Sequence, residues 1–147
     1  MCKALNRPDT EAKSILSRIG PAGRDHTNRE NKLAHHVVLS SGEKPAGGPA
    51  WTAMQENFWI TQWHAEPQII RRAKDIPKGD YGSTYAAAWE SITGDPGWAG
   101  VLAQMTLSRP KDVVYLVFEP GMDLLPLLAE TLALFPPQTR WLVTYNT

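Results

Sequence analysis

The most restrictive feature of this sequence is its last third. There DVVYLVFE (112–119), PGMD (120–123), LLPLLAETLALF (124–135), PP (136–137) and RWLVTYNT (140–147) follow one another. A continuous apolar run of strand length predicts a strand covered on both faces. Asp123 is placed to cap the helix that follows, and Pro126 falls in its first turn, where a missing N–H costs little. The proline pair stops that helix, and a second strand-like run follows. Strand, helix and strand within about 35 residues predict a βαβ unit with parallel strands.

The earlier part reads differently. SILSRIG (14–20) alternates well enough for a strand and is stopped by Gly20–Pro21; LAHHVVLS (33–40) is valine-rich and predicts a second strand, antiparallel to the first. SSGEKPAGGP (40–49) is a flexible loop. PAWTAMQENFW (49–59) has helical spacing, with Pro49 suited to the first turn. ITQWHAEPQII (60–70) looks extended, broken by Pro67, and 71–83 reads as a surface loop. TYAAAWESI (84–92) is a short helix that Gly94 can end, and DPGWAGVLAQM (95–105) restarts one with Asp95 as cap and Pro96 at the first position. The expected fold class is α/β (or α+β), with N-terminal antiparallel strands, a helical middle and a C-terminal βαβ unit on one mixed sheet. Residues 1–13 are polar, include Pro8 and read as a disordered tail; 14–147 read as one domain.

Bulk properties narrow the function classes. At 147 residues the chain fits one domain, and 42% hydrophobic with 20% charged residues is a globular composition. The formal net charge is zero, so no overall field draws in nucleic acid or anionic membrane. The single cysteine, Cys2, forms neither an internal disulfide nor a thiolate zinc site. The N-terminus lacks the apolar core of a signal peptide, and no run approaches the roughly 20 apolar residues of a membrane helix. These readings predict a cytoplasmic protein without a cofactor or metal.

Candidate chemistry concentrates in two places. Adjacent residues of a strand point to opposite faces, so His35 and His36 cannot ligate one metal together. A structural role for both is the simpler reading; a site role for one draws on the preceding loop, which holds Asp25, His26, Arg29, Glu30 and Asn31. Arg18, Arg24 and Arg29 lie close enough in sequence to hold a carboxylate or phosphate, although a solvated loop with local turns is the simpler reading. The second place is FEPGMD (118–123), at the carboxyl end of an expected strand, where α/β sheets bind ligands. Its Glu119 and Asp123 repel phosphate, and a turn with a helix cap is the plainer role. Trp51, Trp89, Trp98 and Trp141 sit at core positions, whereas Trp59 and Trp63 are candidates for exposure. No G-x-S-x-G elbow is present, and nothing amounts to a catalytic signature.

Taken together, SILSRIGPAGRDHTNRENKLAHHVVLSSGE, then GGPAW, and later VVYLVFEPGMDLLPLLAETLALFPPQTRWLVTYNT resemble the N-terminal region of large bacterial GTPase-associated proteins of planctomycete type. In that family an R-x-N-K-x-A-H-H segment follows a strand, and GGPAW comes shortly after. Here the positions are Arg29, Asn31, Lys32, Ala34, His35 and His36, then Gly47 to Trp51. The resemblance implies a non-enzymatic adaptor or protein-interaction domain working beside a GTPase or another protein of the same system. Members carry strands before SILSRIG and continue beyond VTYNT, so the expectation is of a chain incomplete relative to the family. Two other readings stand beside it. One is a small-ligand-binding or hydrolytic domain that uses Arg29, His35 or His36, Glu119 and Asp123 around one cleft. The other is an inactive truncated fragment. The candidate site residues are Arg24, Asp25, Arg29, Asn31, His35, His36, Glu119 and Asp123.

Overall fold

Strands β2 (Lys13–Arg24) and β3 (Glu30–Leu39) form the antiparallel hairpin that alternation predicted. The structure, a computed structural model, describes residues 2–5, 13–24, 26–63, 73–82 and 85–147. Register places Ser14 opposite Leu39 and Leu16 opposite Val37 on a buried face. Ile15 opposite Val38, Ser17 opposite His36 and Ile19 opposite Ala34 make the outer face. Period two thus separates core from surface along both strands.

Residues read as part of a disordered tail include a strand, β1 (Cys2–Leu5), which pairs antiparallel with the start of β2, Lys3 opposite Ile15. Four residues carry too short a pattern to announce a strand. What orders them is the row of N–H and C=O groups on the edge of β2, a template set by tertiary structure. The sheet order among the described residues is β1-β2-β3.

Among the described residues five short α-helices follow: α1 (Gly48–Met54), α2 (Ala87–Thr93), α3 (Trp98–Ser108), α4 (Leu125–Ala133) and α5 (Pro137–Arg140). Pro49 lies in the first turn of α1, and Gly94 ends α2 in the left-handed conformation, as the sequence predicted. Asp95 caps the turn ahead of α3 by accepting the Gly97 N–H at 2.8 Å. Helix α4 is central. It packs on α1 through Ala50 and Ala129, and on α2 and α3 through Leu127, Trp89 and Leu102. At seven residues α2 is too short to hold itself together in water. The buried Glu130 carboxylate of α4 secures it by accepting the N–H groups of Ala88 and Trp89, the latter at 3.2 Å.

The C-terminal βαβ unit is not formed among the described residues. Helix α4 is present, but 113–119 and 142–147 belong to no ladder. Local sequence does make them extended. A strand also needs a neighbour in register, however, and among the described residues neither segment is paired in a ladder. Instead of cover on both faces, 113–117 show alternate burial: Val114 and Leu116 pack against the Trp89 and Leu127 cluster, while Val113, Tyr115 and Val117 face outward, and Phe118 after them is exposed as well. Trp98 also departs from expectation. It is 49% exposed, because α3 buries its Ala99 and Leu102 face instead. Trp59 and Trp63, the two expected to be exposed, are each half-buried.

Arg140 and Trp141 knit the two halves together. The buried Arg140 guanidinium donates to Phe135 O at 3.0 Å, Ala133 O at 3.1 Å and Ala46 O at 2.7 Å, and pairs with the half-exposed Asp80. Trp141 Nε1 donates to Pro45 O at 2.8 Å, and its ring joins Leu16, Val37, Leu39 and Phe58 in the sheet core. The AGGPAW stretch is shaped around this pair. Gly48 has φ +86°, and a Cβ there would lie 3.0 Å from the Arg140 Cβ. A Cβ at Gly47 would collide with the Trp51 ring. Glycine is therefore required at both positions.

Removing the guanidinium leaves three carbonyls unpaired. Arg140→Met is expected to lower unfolding free energy by about 3–5 kcal/mol in urea denaturation followed by tryptophan fluorescence. Asp80→Asn is expected to cost less, since solvent screens its half-exposed carboxylate.

Candidate functional site

The histidine pair divides as strand geometry requires. His35, opposite Arg18, lies on the inner face and is half-buried; His36, opposite Ser17, is exposed on the outer face. His35 Nδ1 accepts the Ile60 N–H at 3.0 Å, so its own proton sits on Nε2, and its ring meets Trp59 edge-on at 5.5 Å. His36 Nδ1 lies 2.8 Å from Ser17 Oγ. Burial first, then the charges of Lys74 and His36, hold the His35 imidazole below its ordinary pKa.

Two clefts flank the hairpin. One, of about 240 Å³, runs beside β3 and is lined by both histidines with Glu43, Lys74 and Ile76. Lys74 reaches across Phe58, its Nζ 5.1 Å from the ring centre. Hydrogen bonds from Ser40 hold the Glu43 carboxyl below the usual carboxylate range. The other cleft, of about 280 Å³, lies on the β2 side, where Arg18 and Ile19 approach Trp59, Leu125 and Tyr145. Lys74 and Glu43 escaped the sequence reading because they reach the histidines only through tertiary folding. The Arg18–His35 pairing could have been found from the hairpin register.

The remaining candidates lie apart from both clefts. Arg24 is engaged within its own loop, donating to Asn28 Oδ1 at 3.0 Å and standing 3.8 Å from Glu30. Arg29 and Asn31 are exposed at the start of β3. Asp25 lies outside the described residues. Glu119 is exposed, its backbone carbonyl taking the Met122 N–H in a turn, and Asp123 Oδ1 accepts the Leu125 N–H at 3.0 Å, holding the start of α4. Neither cleft is lined by Arg29, Glu119 or Asp123. Among the described residues no group of three or more His, Cys, Asp or Glu is placed to hold a metal ion, and no helix is long and apolar enough to cross a membrane.

A small antiparallel sheet locked to a helical layer, with clefts along both sides of its hairpin, defines a mixed α and β chain. Residues 4–76 match the model for GTPase-associated protein 1, N-terminal domain type 2, and 86–147 match that for GTPase-associated protein 1, middle domain. The chain belongs to the GTPase-associated protein 1 family. No curated protein and no solved structure matches it.

The lowered His35 pKa has a definite consequence for stability. The unfolded chain takes up a proton near pH 6.5, whereas the folded chain resists it, so stability is intact above that value and declines as pH falls below it. The unfolding midpoint by circular dichroism is expected to drop between about pH 7 and 5.5, and His35→Gln to flatten that drop.

Proposed function

We propose that the chain is a non-enzymatic interaction domain of a GTPase-associated system, and that its docking surface is the outer face of the β2–β3 hairpin. The observation that carries this reading is the split of the histidine pair. His35 serves the interior, while His36 stands on a face where Ile19 is 65% and Val38 53% exposed. Apolar side chains left exposed beside polar ones are a pattern found at protein contacts. Membership of the GTPase-associated protein 1 family supports placing the chain in a GTPase-related system, and the proposed partner is a GTPase or another protein of that system. The candidate residues Arg24, Arg29 and Asn31 lie at the hairpin end that borders this face.

A second reading rests on the cleft beside β3. His35, His36 and Lys74 line a volume there that suits a small anion, with Glu43 among them as an opposing charge. Phosphate titration observed at the His35 and His36 ring protons distinguishes the two. Saturable shifts at both rings favour the ligand site, and linear drift favours the protein contact.

The direct test measures binding to the purified GTPase of the system by biolayer interferometry. Ile19→Lys with Val38→Lys is expected to weaken binding by at least about tenfold while leaving the unfolding midpoint unchanged, since both side chains are exposed. Unchanged binding by that double variant would remove this face from the function.

A further inference from the structure

Arg18 lies on the inner face of β2, opposite His35, and is half-buried. Among the described residues its guanidinium makes no hydrogen bond and no ion pair. Arg140, by contrast, engages three carbonyls and a carboxylate, and Arg24 engages Asn28 and Glu30. The Arg18 group is held in place against Gly20, where a Cβ would meet its Nη1 at 3.0 Å. A guanidinium drawn partly out of water with its fork of donors unfilled calls for an anion. It lines the cleft of about 280 Å³ beside β2.

That cleft is built from both matched segments. Leu16, Arg18 and Trp59 come from residues 4–76, and Leu125, Tyr145 and Thr147 from 86–147. Seams between such units are where small-molecule sites concentrate. The Trp59 wall is fixed in advance: its indole N–H donates to Ala53 O at 2.8 Å, and its ring meets Phe58 and His35 edge-on. No Asp or Glu lines this cleft, unlike the one beside β3, where Glu43 opposes an anion, and Thr147 forms no ion pair with Arg18. One cation set among Leu16, Leu125 and the Trp59 ring matches a single negative charge on an apolar body. A phosphate dianion asks for more donors than one guanidinium supplies. We propose that this cleft binds a small organic monocarboxylate, its carboxylate on the Arg18 fork and its apolar body against Trp59 and Leu125. The site is separate from the cleft beside β3 and does not depend on the role of the outer hairpin face. Ile19 belongs to both surfaces and is left unaltered in the test.

The full 147-residue chain is titrated with benzoate, and with benzamide as its neutral counterpart, by amide proton–nitrogen correlation NMR. Benzoate is expected to give saturable shifts at the Trp59 indole and the Leu125 and Tyr145 amides, with a Kd on the order of 1 mM. The Glu43 and Lys74 amides, in the other cleft, are expected to stay in place. Benzamide is expected to bind at least about tenfold more weakly, since it brings no charge to the fork. Arg18→Met is expected to weaken benzoate at least about tenfold and Arg18→Lys several-fold, because an ammonium keeps the charge and loses the bidentate geometry. Both variants are expected to keep the parent's unfolding midpoint, and the benzamide comparison decides without any variant. No saturable shift up to about 20 mM benzoate, equal affinity for benzamide, unchanged affinity in Arg18→Met, or shifts centred on Glu43 and Lys74 overturns the proposal. Inorganic phosphate binding at Arg18 more tightly than benzoate overturns the ligand class.

Discussion

A single buried guanidinium holds this molecule in one piece. Arg140 reaches the carbonyls of Ala133 and Phe135, where α4 ends and backbone acceptors would otherwise be orphaned, and in the same fan it reaches Ala46 in the loop after β3. A charge out of water is costly unless its donors are engaged, and here three carbonyls and a carboxylate engage them. The demand spreads outward from that point. The Arg140 stem needs the space that Gly48 leaves, and Gly48, the first residue of α1, adopts the left-handed backbone there. Trp141, one residue on, is carried into the sheet core.

The same economy governs the other buried polar groups. Glu130 sits in the interior without a cationic partner among the described residues and serves as the N-terminal anchor of α2. Trp89 completes the connection by donating its indole N–H to Leu127 O and Thr131 Oγ1 on α4. A helix of seven residues is thus stitched at both backbone and side chain to the longer one beneath it. Among the described residues no buried side-chain nitrogen or oxygen lacks a partner.

What could be read in advance was what depends on local periodicity. Alternation in SILSRIG and LAHHVVL announced the hairpin and, with it, the division of His35 from His36. Pro49, Gly94 and Asp123 marked helix ends by chemistry that acts within a few residues. What depends on distant neighbours could not be read. The run VVYLVF carries the composition of a doubly covered strand, yet it is covered on one side only, because composition reports solubility in a core and not which core is available. The Cys2–Leu5 strand has no pattern of its own and exists through β2. At the candidate site the inner and outer faces followed from period two, whereas Lys74 and Glu43 arrive from segments whose approach only the folded chain defines.

The reach of the Arg140 and Trp141 contacts also bears on the order of events during synthesis. Trp141 bonds Pro45 and Arg140 bonds Ala46, across sequence separations of 96 and 94 residues. On the ribosome the β2–β3 hairpin emerges long before the indole that completes its core. With chain elongation at about 5–20 residues per second, Leu16, Val37 and Leu39 wait for seconds with an unfinished face toward solvent. The nascent chain is therefore most exposed to chaperones, or to misassociation, during the interval in which the helical half is being made.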